Sequence, residues 1–215
     1  VFTGSSVLDI YQGTADLSRR VLVYKMQGLS FREYIGMKLG IDLPAYPLEQ
    51  IVNHEVELPI EIDHPLSLFN EYLRQGYYPF YEDEGYKMRL NQVVSITLET
   101  DIPQYANYTV TISRKLKELM QVIADSVPFK PNMSTIATII KADRGLLPDY
   151  FELMEKAGLI AQLHDSTKGV RGLGKVEKVY LDNTNLSFAL TSETPDIGNQ
   201  RETFFLTLTK CVPIK

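Results

Sequence analysis

The sequence predicts a mainly α chain with a small β component (α+β). Apolar residues recur at helical spacing along most of the chain, and two short runs, 159–163 and 178–181, have the composition of strands. No internal period of 20–50 residues is visible, which argues against solenoids and propellers. Of the 215 residues 44% are hydrophobic and 23% are charged, so the chain has enough apolar surface to form a core.

The charge balance and the cysteine content limit the classes of partner. Lys and Arg number 22 against 27 Asp and Glu, so the net charge is −5 and gives no overall attraction to nucleic acid, although a local basic patch stays open. The single cysteine, Cys211, cannot form an internal disulfide. That favours a reducing compartment, and we expect a cytoplasmic protein. No stretch approaches the ~18 apolar residues that a membrane span needs, so no membrane partner is expected.

The first half of the chain predicts short strands, helices and a loop. Strand-like runs cover residues 1–4 and 21–24, and a helical pattern lies between them at 7–17. Ser30 and Glu33 have capping-box spacing and open a short helix. Residues 41–65 contain four prolines and predict loop.

Two longer helices follow that loop. One begins near His64 and ends at Gly76. The next covers 84–101, with apolar residues spaced to share one side. Those residues are Leu90, Val93, Val94 and Leu98.

The second half has a more regular order. Helical patterns at 114–124, 134–140 and 147–157 precede the two strand-like runs. Three helices followed by a hairpin is the order of a winged helix. Helical patterns then return at 186–190 and 197–208.

Seven runs in order carry a resemblance to a known family. They are TGSS at 3–6, LSRR at 17–20, LSFREY at 29–34, YLRQGYYP at 72–79, LMEKAGLI at 153–160, KVYLD at 178–182 and GNQRETFF at 198–205. Together they resemble the downstream half of prokaryotic AAA-superfamily P-loop ATPases. In that family the ATPase core is followed by a helical lid, a winged helix and a restriction-endonuclease-like domain of unknown function.

The resemblance implies four segments. Residues 1–24 would be the end of an AAA ATPase core with its sensor strand, 25–110 a helical lid region, 111–185 a winged-helix domain and 186–215 the start of a truncated nuclease-like domain. Residues 206–215 do not match the family's continuation. The sequence has no G-x-x-x-x-G-K-[ST] motif and no strand-terminal acidic pair, which in the family lie upstream.

The expectation is therefore a C-terminal part that does not hydrolyse ATP alone. In the intact protein the resemblance implies ATP and Mg²⁺ as cofactors. It implies an upstream ATPase core and a homo-oligomer as partners, and a DNA or protein partner for the winged helix. The alternative is a non-enzymatic winged-helix module that binds DNA or protein.

Three residues near the start are candidate catalytic residues through the resemblance. Thr3 or Ser5 would be the sensor hydroxyl that helps to place the attacking water. Arg20 would contact the phosphates and neutralise charge on the transferred phosphoryl group, in cis or across a subunit boundary. The alternatives are an ordinary helix-entry turn at 3–6 and a solvated basic pair, Arg19 and Arg20.

The winged helix gives a weak nucleic-acid site. Helix 147–157 carries Asp149, Glu152 and Glu155 against one lysine, which argues against reading of the major groove. The basic residues between the two strands, however, suit backbone phosphate. They are Lys168, Arg171 and Lys175. Solvated charges on a polar wing are the alternative interpretation.

The remaining motifs predict packing or solvated charge rather than chemistry. Aromatic residues between 31 and 80 are expected in the core, with an aromatic cage as the alternative. The three histidines stand apart, and acidic residues 82–84 read as solvated charges, so no metal site is predicted. Glu202 matches the first acidic position of the nuclease-like domain through the resemblance.

Overall fold

The capping box at Ser30 begins α1 (Phe31–Leu39), as the sequence predicts. The Ser30 hydroxyl accepts from the backbone N–H of Glu33 at 3.2 Å, and the Glu33 carboxylate accepts from the N–H of Ser30 at 2.7 Å. Gly40 ends the helix at φ 71°, a left-handed conformation that glycine adopts without steric cost. The computed structural model describes Leu8 and residues 26–164, 176–191 and 194–211.

A proline-rich loop with one short helix, α2 (Leu48–Val52), leads into α3 (Pro65–Gln75). Gly76 ends α3 at the predicted position. A Cβ atom at Gly76 would lie 2.5 Å from the Tyr72 ring, so the turn requires glycine. The turn brings the chain back toward α1.

The next helical stretch departs from the prediction. α4 (Tyr86–Ile96) passes through a π turn (Thr97–Asp101) into α5 (Ile102–Ala106), so the helical path runs past 101 and through Pro103. Proline cannot donate to the preceding turn, and the wider π turn accommodates that missing bond.

The predicted apolar side of α4 is also partly wrong. Leu90, Val94 and Leu98 are buried, but Val93 is 45% exposed. The buried stripe begins at Tyr86 and advances four residues at a time, which leaves Val93 beside it.

The predicted order of three helices and a hairpin is confirmed. α6 (Val110–Ser126), α7 (Met133–Ile139) and α8 (Leu147–Lys156) precede β1 (Ile160–His164) and β2 (Val176–Leu181). The strands pair antiparallel with Ile160 opposite Leu181. Phe129, between α6 and α7, forms an isolated antiparallel bridge with Val179, so the α6–α7 connection covers the outer edge of β2.

Two helices close the described chain, α9 (Thr184–Leu190) and α10 (Ile197–Cys211). One cluster of buried apolar side chains extends from α1 to α9. Tyr34, Tyr72 and Tyr77 are buried, and Phe31, Tyr78 and Phe80 are partly buried, so the predicted packing role of these aromatics is confirmed.

The predicted fold class, mainly α with a small sheet, is confirmed. Within the described ranges, every helix is too short or too polar to cross a lipid bilayer. The strands predicted at 1–4 and 21–24 lie outside the described residues. So does the helix predicted at 7–17, apart from Leu8, which is buried.

Candidate functional site

All sequence-predicted site residues lie outside the described part of the chain. The structure therefore neither brings them together nor separates them. They are Thr3, Ser5 and Arg20 near the start, and Lys168, Arg171 and Lys175 between β1 and β2.

The exposed face of α8 is acidic. Asp149 and Glu152 are exposed, and the one lysine of this helix, Lys156, pairs with Glu152 at 2.6 Å. Leu147, Phe151 and Met154 fix the opposite face in the core. Because Glu152 and Lys156 compensate each other, the remaining charge of this face is that of Asp149, and the face offers no attraction to a phosphate backbone.

Glu155 is used in packing and is not available to a partner. Its two carboxylate oxygens accept from the backbone N–H of Gln162 at 2.7 Å and from the side-chain amide of the same residue at 2.9 Å. These bonds attach α8 to β1. The angle between the helix and the hairpin is thereby fixed.

Asn185 on α9 is the best-connected buried polar residue of the described chain. Its amide nitrogen donates to the carbonyls of Tyr72 at 3.0 Å and Leu73 at 2.9 Å. Its oxygen accepts from the backbone N–H of Tyr77 at 2.9 Å and from the hydroxyl of Tyr86. Asn185 is fully buried. One side chain thus connects α9 with the end of α3 and the start of α4.

Burial keeps the partner hydroxyl in its donating form. Removal from water raises the pKa of Tyr86, because the phenolate would lose its hydration. A tyrosine hydroxyl is protonated at neutral pH even in water, and the raised pKa only widens that margin, so Tyr86 donates to Asn185. The connection is an uncharged network with all four polar positions of the amide in use.

A polar cavity of about 570 Å³ lies between the end of α6, α9 and the start of α10. Asp125, Asp196 and Gln200 line it, and the buried side-chain oxygen of Gln200 has no hydrogen-bond partner among the described residues. Asp196 is engaged elsewhere, because it caps α10 by accepting from the N–H groups of Gly198 at 2.8 Å and Asn199 at 3.1 Å.

The described residues hold no group of three or more His, Cys, Asp or Glu side chains that would bind a metal ion. Of acidic residues 82–84, Asp83 pairs with Arg89. Glu202 accepts from Lys178 at 2.6 Å and from the Tyr180 hydroxyl at 3.3 Å, and the lysine lowers the pKa of that carboxyl. Glu202 therefore attaches α10 to β2.

The chain belongs to a family described as a domain of unknown function (DUF8612). The match covers residues 66–196, more than half of the chain. It begins in α3, includes the three helices and the hairpin, and ends at Asp196, the capping residue of α10. No curated protein and no solved structure matched the sequence.

Sequence reasoning missed Asn185 and Gln200. Asn183, two residues earlier, has a recognisable local role, because it caps α9 by accepting from the N–H of Leu186 at 3.3 Å. Asn185 has none, since its partners lie 99 to 113 residues away in the chain. A single sequence carries no signal for such distant hydrogen bonds.

Proposed function

We propose that this chain is the lid and winged-helix part of an AAA-type ATPase, which is not catalytic alone and which transmits nucleotide-driven movement to its C-terminal modules. The observation that carries the proposal is the order of α6, α7, α8 and the hairpin, with Phe129 bridged to β2. In a winged helix a short extended segment between the first two helices pairs with the hairpin, and Phe129 has this position. The ATPase core, the nucleotide and the assignment of the lid rest on the family resemblance.

The buried network at Asn185 supports a transmitting role. Residues 25–110 are the proposed lid and 111–185 the proposed winged helix. Asn185, at the end of the second segment, holds the α3–α4 turn of the first by four hydrogen bonds. A movement of α3 or α4 would displace α9, because a buried amide that leaves these partners loses four hydrogen bonds without gaining water in their place.

In this proposal ATP and Mg²⁺ bind to an upstream ATPase core, in a homo-oligomer located in the cytoplasm. Thr3 or Ser5 would orient the attacking water, and Arg20 would stabilise charge on the phosphoryl group of its own or a neighbouring subunit. Mg²⁺ supplies charge neutralisation on the phosphate oxygens when it is bound.

Two measurements on the protein in its natural length test the proposal. The coding sequence upstream of Val1 should contain G-x-x-x-x-G-K-[ST] within about 120 residues. Arg20→Ala should lower ATP turnover by about 10³-fold, the scale of an arginine finger. The matched control is Arg144→Ala, an exposed arginine near α8. Absence of the motif, or unchanged turnover in Arg20→Ala, defeats the proposal.

For the winged helix, the acidic face of α8 favours a protein partner over DNA. Titration of labelled duplex DNA at 50 and 200 mM salt separates the two. We expect no binding at either salt concentration. Binding at low salt that Lys168→Ala and Arg171→Ala abolish would instead support the DNA-binding module.

A further inference from the structure

Residues 41–65 carry six carboxylates and no lysine or arginine. They are Asp42, Glu49, Glu55, Glu57, Glu61 and Asp63. None of them pairs with a lysine or arginine within the described ranges, whereas the neighbouring Lys38 pairs with Glu71. The segment is therefore a strongly negative part of the surface with no counter-charge of its own.

The same segment exposes large apolar side chains. Ile60 is 91% exposed and Leu48 is 74% exposed. Helix α2 buries none of its five residues, and the apolar side chains of Ile51 and Val52 are 52% and 65% exposed. Several large exposed apolar side chains in one short segment, next to a groove, are typical of an interaction site.

A groove of about 430 Å³ lies against α1 beside these residues. Among the described residues that line it, nearly all are apolar, and Arg32 is the charged one. The main contributors are Phe31, Ile35, Leu43, Tyr46, Ile51 and Leu58. Pro44, Pro47 and Pro59 restrict the backbone around the groove, which lowers the entropy lost when a partner binds.

Arg32 brings one positive charge to the groove, but Asp42, Glu57 and Glu61 each directly precede a lining residue in the chain, so negative charge predominates beside it. Of the six carboxylates, Asp63 contacts His64 at 3.4 Å. This excess of carboxylates repels nucleic acid and anionic lipid. A second copy of the chain would bring the same six carboxylates to a two-fold interface, where like charges are costly. We propose that this acidic apolar surface binds a protein segment with lysine or arginine beside apolar residues, docked as an amphipathic helix.

A peptide titration tests the proposal on the full chain. The probe is a fluorescein-labelled 18-residue peptide with Leu on one helical face and Lys on the other, measured by anisotropy at 50 and 300 mM salt. Matched probes replace every Lys by Glu, or every Leu by Ser. We expect the Leu/Lys peptide to bind at least tenfold more tightly than either, with weaker binding at high salt.

Substitutions test whether the peptide binds to the surface formed by residues 41–65. Glu57→Lys with Glu61→Lys, and separately Ile60→Ser with Leu48→Ser, should each weaken binding at least tenfold. The matched charge control is Glu118→Lys with Asp149→Lys, and the apolar control is Ile139→Ser, which is 56% exposed on α7. Circular dichroism confirms that each variant is folded.

Three outcomes would overturn the proposal. The first is equal binding of the Leu/Lys and Leu/Glu peptides. The second is equal weakening by the test and control variants. The third is a dimer in sedimentation velocity that Ile60→Ser converts to a monomer, because the surface would then be covered by a second copy.

Discussion

At the scale of single residues, the fully buried side chain of Asn185 makes four hydrogen bonds and joins α9 to α3 and α4. Replacing it with alanine removes one hydrogen bond each from the carbonyls of Tyr72 and Leu73, the N–H of Tyr77 and the hydroxyl of Tyr86. We expect Asn185→Ala to lower the free energy of unfolding by about 2–4 kcal/mol, measured by urea denaturation.

The matched control is Asn70→Ala, an exposed asparagine of α3. Its cost should stay within about 0.5 kcal/mol. Equal costs for the two variants would show that the network around Asn185 is hydrated and not buried.

Glu33 should make stability depend on pH. The N–H of Ser30, followed by its hydroxyl, lowers the pKa of Glu33 below its ordinary value of 4.5. A carboxyl with a lowered folded-state pKa stabilises the protein above its unfolded pKa, and this contribution is lost as pH falls through the folded pKa.

Glu33→Gln should therefore cost about 0.3–1 kcal/mol at pH 7 and less at pH 3. Urea denaturation of both proteins at the two pH values measures the difference. A difference that stays constant between pH 7 and pH 3 would contradict the charged role of Glu33.

At the scale of elements, α10 is attached to the rest of the molecule by a half-buried ion pair. Lys210 donates to the Asp182 carboxylate at 2.6 Å and to its carbonyl at 2.9 Å, and the Asp182 side chain is 13% exposed. Lys210→Gln should lower the free energy of unfolding by about 1–3 kcal/mol, because it leaves a shielded carboxylate without a cation.

The exposed pair between Lys130 and Glu177, at 2.5 Å, provides the comparison. Lys130→Gln should cost no more than about 1 kcal/mol in the same denaturation experiment, since water screens this pair. Equal losses in the free energy of unfolding for Lys210→Gln and Lys130→Gln would contradict a stabilising role of the Lys210–Asp182 ion pair.

Local signals explain which elements the sequence predicts. Ser30, Gly76 and the spacing of Leu116, Leu119 and Met120 act within one or two helical turns, and these features are confirmed. The continuation of the helix past Asp101 is not predicted, because a proline such as Pro103 normally ends a helix. Leu98 and Ile102, on either side of the end of the π turn, are buried in the core.

At the scale of the whole molecule, one apolar cluster joins the proposed lid to the proposed winged helix. Tyr34, Leu90, Leu116 and Phe151 belong to it and are fully buried. We expect a single cooperative unfolding transition, with the most protected amides of α4 and α8 exchanging at the same free energy.

Native-state hydrogen exchange in low urea measures this coupling. Exchange of α4 and α8 at clearly different free energies would show that residues 25–110 and 111–185 unfold separately. The sequence motifs place residues 25–110 and 111–185 in different segments, but they do not predict the strength of the contact between these two, because that contact joins residues far apart in the chain.

The long span of the Asn185 hydrogen bonds has a consequence for protein synthesis. Asn185 is 113 residues after Tyr72, so a ribosome that adds about 5–20 residues per second needs roughly 6–23 s between them. During that time the carbonyls of Tyr72 and Leu73 lack the amide that they contact in the folded chain. The α3–α4 turn therefore completes its hydrogen bonds only after α9 has been made.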